Sequence, residues 1–438
     1  MKNHRIYLTA ACLFLGCAAS VSAQTIDLGA VNSDLSHFRA RDKRGVNVFE
    51  DPKEEGVAFD GVKGRVGGQF ALQWQGLNHH NTADEKLDPD TGENLNELVE
   101  IDNNFNLATA NMDIDVQLAK GVRSHLRTYL SSRHHNEPYV KDGYLLVDSL
   151  DLVDEGFLSG LMEYVTIKLG HMEVNYGDLH FRRSDNAQGI YNPFIGNTIM
   201  DSFSTEVGTE IYARANGFLA MVGASNGKLN QNVADGDGDG VSVLGKLGWD
   251  DQVTDDLRLR FTGSVYNTGE SAGTRLYAGD RAGSRYYFVT EHLATASQFR
   301  SGRFDPALKN KLTAIMFNAF AKFQGLEVMG TYENADGRDN TESEDRSFDQ
   351  YVAEVVYRFG STENFYAGAR YNLVQGPLKG STDDVTVDRW QFGLGWFLTN
   401  NMLGKLEYVD QQFSDFPSSN ILNGAEFKGF MVESVIAF

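Results

Sequence analysis

The chain has 438 residues, of which 60 are acidic and 39 basic, giving a formal net charge of −21. This balance excludes nucleic acid as a partner held by bulk charge, because phosphate backbones are bound through lysine and arginine. Beyond the N-terminus no stretch of about 18 apolar residues occurs, which excludes a bundle of membrane helices. Membrane-spanning β-strands are compatible with this composition, since they carry only weak alternating patterns.

The N-terminus has the three parts of a secretory signal peptide. Lys2 and Arg5 form the basic start, residues 6–15 form the apolar stretch, and Ala23 ends a small-residue cleavage site. We therefore expect residues 1–23 to be removed during export. The leader holds two basic and no acidic residues, so removing it changes the net charge from −21 to −23.

Both cysteines, Cys12 and Cys17, lie in this leader, so we expect the mature chain to contain no disulfide. A lipoprotein signal that ends at Cys17 is the alternative, although Phe14 and Leu15 suit a lipidation site poorly. Residues 24–60 precede the first predicted strand, and we expect them to form a short periplasmic or lumenal segment.

From residue 61 to residue 438 the dominant pattern is apolar residues at every second position, which predicts β-strands with one apolar face. Aromatic residues near strand ends, such as Tyr266, Tyr357 and Trp396, are expected to form interfacial girdles. We predict about 16 strands. With an even number, the start of the first strand and the end of the last strand lie at the same rim. Their starts are expected near 63, 105, 122, 139, 163, 205, 217, 241, 256, 311, 326, 348, 364, 387, 403 and 426.

Short connectors, such as 119–121 and 323–325, alternate with long polar ones, such as 79–103 and 269–310. A soluble sandwich or propeller would have mixed connector lengths instead. The alternation predicts an all-β fold, a closed antiparallel transmembrane β-barrel with short periplasmic turns and long extracellular loops. We therefore expect the protein in the Gram-negative outer membrane.

The last predicted strand ends in "FKGFMVESVIAF", in which Phe430, Val432, Ile436 and Phe438 share one face. We expect this face to meet lipid, and the sheet to close on itself because hydrocarbon offers no water to unpaired backbone groups. A final aromatic residue resembles the signature that the barrel-assembly machinery reads. Expected partners are therefore this machinery, through Phe438, together with outer-membrane lipid and lipopolysaccharide.

Basic residues recur on the polar face of the predicted strands. A barrel of this size holds water unless it is plugged, and a row of cations along a pore lowers the barrier to anions. We therefore expect a diffusion porin for small hydrophilic solutes or anions, whose pathway is lined by Arg65, Arg123, Arg127, Lys168, Arg258 and Arg260. The alternative is that these cations pair across the lumen with acidic residues, namely Asp113, Asp115, Glu206 and Glu210.

The connector 175–204 is long for a barrel loop and carries Arg182, Arg183 and Asp185 together with apolar residues. We expect it to fold into the barrel and narrow the pore as a constriction loop. The alternative is an outside loop at a contact between subunits.

The run "DGDGDG" contains Asp235, Asp237 and Asp239, which match the start of a calcium-binding loop. The twelfth position is Lys246, where the EF-hand requires glutamate, and the flanking segments are strands. These features disfavour an EF-hand, and a looser external cation site is the alternative metal hypothesis. No motif for a cofactor is present, and we expect none.

We also expect no enzymatic activity. An outer-membrane lipid hydrolase would need an outward serine beside a histidine, and Ser124 has no such partner on the predicted strands. A surface receptor or adhesin barrel is a third hypothesis, in which the lumen is plugged and loops such as 269–310 bind the partner.

Three segments in order, "VKDGYLLVDSL", "YVTIKLGHMEVNYG" and "STEVGTEIYARANGFLAMVGASNG", resemble the phosphate-selective porin O and P family. The matching marks are Asp142-Gly143, Gly170-His171 and Asn226-Gly227. The resemblance implies a 16-stranded homotrimeric channel with inward arginines that lead to a lysine-lined constriction. In this chain it implies that Arg123, Arg127 and Lys168 are the analogues, and it leaves the solute open.

Overall fold

The computed structural model describes residues 35, 37–54, 59–130, 139–186, 188–227, 240–269, 271, 273–279, 284–294 and 300–438. The predicted signal peptide and the acidic run with Asp235, Asp237 and Asp239 lie outside the described residues. Across the described ranges, no helix has the length and apolar character that crossing a bilayer would take.

The described residues form sixteen strands, each starting within three residues of its predicted position. Within the described ranges, the helical elements are α1 (Ser159–Met162) and two 3₁₀ turns, Lys43–Gly45 and Leu179–Arg182. The strands are β1 (Lys63–His80), β2 (Asn104–Ala119), β3 (Val122–Tyr129), β4 (Tyr139–Val147), β5 (Val165–Glu173), β6 (Thr205–Ala215), β7 (Phe218–Ser225), β8 (Ser242–Gln252), β9 (Leu257–Thr268), β10 (Lys311–Phe323), β11 (Leu326–Arg338), β12 (Arg346–Phe359), β13 (Phe365–Pro377), β14 (Asp384–Thr399), β15 (Met402–Ser414) and β16 (Glu426–Ala437).

Each strand pairs antiparallel with its neighbours in sequence, and β1 also pairs with β16, so the sheet is a closed barrel. At this seam Trp74 lies opposite Val432. The Gly68 amide donates to the Phe438 carbonyl at 2.9 Å, and the Phe438 amide donates to the Gly68 carbonyl at 3.0 Å. Closure satisfies backbone groups that an open edge would leave unpaired. The predicted fold class is confirmed.

Side chains alternate between the two faces of the wall, as the period-two pattern requires. Trp390, Phe392 and Phe430 are exposed on the outside, and Gln391 between the first two is buried inside. Stacked rings of Phe359, Phe365 and Trp396 lie at successive distances of 5.8 and 5.7 Å on the outer wall. The apolar face of the strands is therefore the outer surface of the barrel.

One predicted girdle residue lies elsewhere. The Tyr266 ring is fully buried inside the barrel, and its hydroxyl donates to Glu206 at 2.8 Å. Tyr266 follows Val265, which is on the outside, and the strict alternation of a strand places the two on opposite faces.

The two rims of the barrel differ as expected. The turn rim holds the short connectors and both ends of the strand array, and the loop rim holds the long ones. One connector of the turn rim, 148–164 between β4 and β5, departs from the expected short turn. It contains α1 and exposes Leu152 and Val153, of which 71% and 73% is accessible. After Val147 the chain forms this compact connector rather than a continuation of β4.

Candidate pore constriction

Three segments of the described chain insert into the interior of the barrel. These are the β5–β6 connector (174–204, the inner loop), the described parts of the β9–β10 connector, and residues 37–54 ahead of β1 (the strap). All described residues of the inner loop are buried except Leu179 and Phe181. Many inward side chains of the wall therefore meet these segments, in addition to their neighbours on the wall.

Polar side chains of the wall bind the backbone of the inner loop. Gln69 of β1 accepts the Gly189 amide at 2.7 Å. Glu407 of β15 accepts the Ile195 amide at 2.8 Å. In the same way, Asn372 and Gln350 accept hydrogen bonds from the backbone amides of Ile199 and Met200. These bonds satisfy buried amides of the loop that have no partner in a β-sheet. The inner loop is thus fixed to strands on several sides of the barrel.

Glycines on the inward face make room for the loop at one position. A Cβ at Gly393 would lie 3.2 Å from the Phe194 ring, and one at Gly368 would lie 3.3 Å from it. Phe194 is fully buried in this recess, under the guanidinium of Arg370 at 4.3 Å. The motif "FGLGW" on β14 therefore marks where the inner loop packs on the wall.

Near the loop rim the inward faces turn apolar and pack against the inserted segments. Ile199 and Met200 of the inner loop and Tyr286 of the β9–β10 connector join Phe348 and Phe427 of the wall in one buried cluster. The sequence predicts a polar lumen throughout, and this part of the interior departs from that prediction. Apolar side chains of the long connectors are buried here because the closed wall offers them an inner surface away from water.

The three predicted constriction residues are buried within the inner loop. Arg182 pairs with Glu354 of β12 and lies 3.6 Å from Glu327 of β11. Arg183 binds Asp201 at 2.7 Å and approaches Asp185 at 3.7 Å. Arg182 therefore joins the loop to the wall, and the other two belong to a network inside the loop.

The six predicted pathway cations face the interior, and each contacts a carboxylate. The shortest pairs measure 2.6 Å for Arg65–Asp115, 2.8 Å for Arg123–Asp148, 2.7 Å for Arg127–Asp113, 3.9 Å for Lys168–Glu210, 2.7 Å for Arg258–Asp250 and 2.8 Å for Arg260–Asp178. Asp113, Asp115 and Glu210 are thus partners, as the pairing alternative expects. Glu206 instead accepts bonds from the hydroxyls of Ser225 and Tyr266.

A small cavity of about 100 Å³ lies where the strap, the inner loop and the wall meet. Three of the predicted cations line it, Arg123, Arg127 and Lys168, while Arg65, Arg258 and Arg260 do not. In total, six Lys or Arg and four Asp or Glu side chains line it, namely Arg39, Arg41, Arg123, Arg127, Lys168, Arg214, Glu50, Asp51, Asp142 and Glu173. Toward the turn rim, a recess of about 960 Å³ shares Glu50 and Arg214 with this cavity.

Burial and neighbouring charges set the charge state of the ionisable side chains in the inserted segments. Burial alone would raise the pKa of Glu50, but Lys246 and Arg260 outweigh it and hold that pKa well below its usual range. The same two cations lower the pKa of Asp178. Burial lowers the pKa of Arg39 to about 10, which still leaves this guanidinium charged at neutral pH.

No protein-family model and no curated protein matches the chain. Solved structures are similar to it. The anion-selective porin from Comamonas acidovorans has a TM-score of 0.52 at 12% identity, covering 86% of this chain and 100% of that one. OmpT, an outer membrane protein of Vibrio cholerae, has a TM-score of 0.51 at 11% identity, covering 88% and 100%. The outer membrane channel DcaP of Acinetobacter baumannii has a TM-score of 0.50 at 10% identity, covering 88% and 100%.

The chain has the fold of outer-membrane porins. At these identities the similarity concerns the fold, so the solute and the roles of single residues depend on the site itself.

Sequence reasoning missed the residues that the strap contributes. Arg39, Arg41 and Glu50 contact the cavity, although none of them lies in a strand. A signal was present in "HFRARDKRGVNVFEDPKE", where both signs of charge are dense directly before the first strand. Among the described residues, no group of three His, Cys, Asp or Glu side chains is arranged to hold a metal ion.

Proposed function

We propose that the protein is a porin of the Gram-negative outer membrane that admits small hydrophilic solutes by diffusion and prefers small anions. The observation that carries this proposal is the cavity inside the barrel. Its six cationic and four anionic side chains leave a local excess of positive charge, in a chain whose net charge is −21. Such an excess at a narrow point favours anions over cations.

Lys168 is the best single probe of this preference. Its ammonium group lies 3.9 Å from Glu210, whereas the arginines nearby are held by shorter pairs. It also donates to the Glu173 carbonyl at 3.3 Å and lies 4.5 Å from the centre of the Tyr144 ring. The charge of Lys168 is therefore less compensated than those of Arg123 and Arg127, and it acts more strongly on a passing ion.

We expect Lys168→Glu to shift the reversal potential toward cations in a planar bilayer with a salt gradient. Arg123→Glu combined with Arg127→Glu should shift it in the same direction, provided the double variant folds. Lys120→Glu is the matched control, because Lys120 is exposed at the turn rim and pairs with Asp151. Stepwise conductance of the wild type tests the channel itself, and phosphate added as a competitor tests the class of anion.

A specific observation favours a second candidate, the non-conducting receptor or adhesin barrel. The apolar cluster near the loop rim packs inserted segments against the wall, as a plug would. This candidate predicts that the purified protein inserts into a bilayer without conductance steps, and that binding is lost when the β9–β10 connector is shortened.

The proposal extends to assembly and relatives. Kinship with the phosphate-selective porin O and P family is supported by the shared barrel fold and by inward Arg123, Arg127 and Lys168 at the cavity. A homotrimer is supported by the trimer form of Vibrio cholerae OmpT, with a TM-score of 0.50, and mass measurement in detergent tests it. Recognition of Phe438 by the barrel-assembly machinery, and contact of the outer wall with lipid and lipopolysaccharide, belong to the same proposal.

A further inference from the structure

We propose that the strap, residues 37–54, narrows the barrel on the side of the turn rim and that its release widens the passage. The inference rests on the proposed channel function, because the width of the passage matters only if solutes pass through the barrel. It goes beyond that function because it assigns control of the passage to a segment outside the barrel wall.

The strap reaches opposite sides of the barrel. At one side, Lys53 lies 3.4 Å from Asp148, the residue after β4. At the other side, Lys43 donates to Asn364 at 2.6 Å in the β12–β13 turn. β12 is eight positions from β4 in the closed ring of sixteen strands, which places it on the opposite side. A segment held at both points crosses the lumen rather than following one wall.

Between these ends the strap is tied to further strands. Arg41 pairs with Asp113 of β2 at 2.7 Å. Glu50 pairs with Lys246 of β8 at 3.0 Å and with Arg260 of β9 at 2.9 Å. These contacts place charged side chains of the strap inside the lumen, between strands on different sides of the barrel.

The strap and the inner loop form one composite constriction. The Arg39 guanidinium lies 3.6 Å from the centre of the Tyr191 ring and donates to the Phe181 carbonyl at 3.0 Å. The Tyr191 hydroxyl donates to the Ala40 carbonyl at 2.7 Å. A Cβ at Gly45 would lie 2.7 Å from the same ring, so this position requires glycine for the close approach. The cavity of about 100 Å³ is the space that the two segments leave.

The contacts that hold the strap can break without opening the barrel wall. Its residues take part in none of the strand pairs that close the barrel. The wall charges that it binds also have partners elsewhere: Asp113 keeps Arg127, Asp148 keeps Arg123, and Lys246 keeps Asp178. Arg123 loses the His37 and Pro52 carbonyls of the strap but keeps Asp148. Because these wall charges each retain a partner of opposite charge, release of the strap avoids the large cost of a fully unpaired charge.

The test uses a disulfide that can hold the strap in place. The Lys43 amide donates to the Asn400 carbonyl at 2.9 Å in the β14–β15 turn, so the two backbones are close enough for a disulfide, and Lys43→Cys with Asn400→Cys is the pair to cross-link. Both native cysteines lie in the predicted leader. The pair Lys43→Cys with Lys120→Cys is the control for placement, because Lys120 follows β2 in another part of the rim. A cross-link in the first pair and none in the second is expected.

Conductance is then compared in one protein with the strap loosened or fixed. Arg41→Ser with Glu50→Gln, in the Lys43/Asn400 cysteine pair, removes the central anchors. We expect a higher single-channel conductance after reduction than in the wild type, and a return toward the wild-type value after oxidation. Arg44→Ser is the matched control, since the Arg44 side chain is 66% exposed and pairs with Asp42 of the strap itself. It should leave the conductance unchanged.

The outcomes separate the two proposals. Equal conductance of the reduced and oxidised loosened protein, or equal cross-linking in both cysteine pairs, overturns the strap proposal. A wild type without any conductance steps overturns the porin proposal. If the wild type does not conduct but the loosened protein conducts after reduction and stops conducting after oxidation, the strap proposal is retained without the porin proposal. In that case the strap acts as a plug.

Discussion

At the scale of the residue, charge inside this barrel is held by networks rather than by single pairs. Arg123 binds Asp148 at 2.8 Å, donates to the Pro52 carbonyl at 2.8 Å and also donates to the His37 carbonyl. Its side chain is fully buried. A guanidinium is taken out of water at tolerable cost only when its donors are satisfied, and two of these acceptors come from the strap.

Glu291 shows the opposite situation, a carboxyl with little compensation. It lies in the β9–β10 connector, where burial raises its pKa from the usual 4.5 to about 7 and Arg303 offsets this only in part. The folded state therefore binds more protons than the unfolded state between these two values. Local stability is greatest below pH 4.5 and falls as the pH rises through 7.

We expect Glu291→Gln to remove this pH dependence. At pH 8 the variant should gain about 1–2 kcal/mol of local stability, allowing for partial exposure, and at pH 4 it should match the wild type. Hydrogen exchange of the Val99 amide, which donates to the Glu291 carbonyl at 2.9 Å, measures the local opening. The prediction is wrong if exchange in the wild type slows as the pH is raised, after correction for the intrinsic rate.

At the scale of the element, the pattern of each strand was readable in the sequence and the position of the inner loop was not. Alternation along β14 predicted that Trp390 and Phe392 lie on one face. Nothing local to the loop indicates that Phe194 fits between Gly368 and Gly393, because these residues are far apart in the chain and meet only across the closed lumen. Packing specificity of this kind depends on the shapes of both surfaces.

We expect Gly393→Leu to displace the inner loop, since even a Cβ there would lie 3.2 Å from the Phe194 ring. Trypsin should then cleave after Arg182 or Arg183, which are buried in the wild type. Overpacking of this kind costs about 1–3 kcal/mol. Leu394→Ala is the control on the outward face, where Leu394 is 53% exposed, and it should leave the loop resistant. Cleavage that is equal in both variants would contradict the packing described for Phe194.

At the scale of the whole molecule, stability depends on the seam between β1 and β16, because closure pairs the last free edges of the sheet. Gly429 of β16 lies in this seam with φ at +148°, a conformation that side chains rarely adopt. A Cβ there would lie 2.2 Å from the carbonyl oxygen of Gly76. The seam therefore requires glycine at this position on grounds of both conformation and space.

We expect Gly429→Val to weaken closure, with about 1–3 kcal/mol from backbone strain alone. The variant should lose the folded, fast-migrating band in SDS at lower temperature than the wild type. Gly330→Val is the matched control, because nothing lies within 4 Å of a Cβ at Gly330 on β11. A shift of equal size in both variants would mean that the seam is no more sensitive than the rest of the wall.

The sequence by itself determined the strands, their order and the face that each presents, because alternation with period two is a local property of the chain. It also indicated which cations face inward. Only the tertiary structure decided what those cations meet, for example that Arg41 of the strap shares Asp113 with Arg127. Partners of this kind are remote in sequence, and contacts across a lumen leave no periodic trace in either segment. The wall was therefore predictable, and the content of the lumen was not.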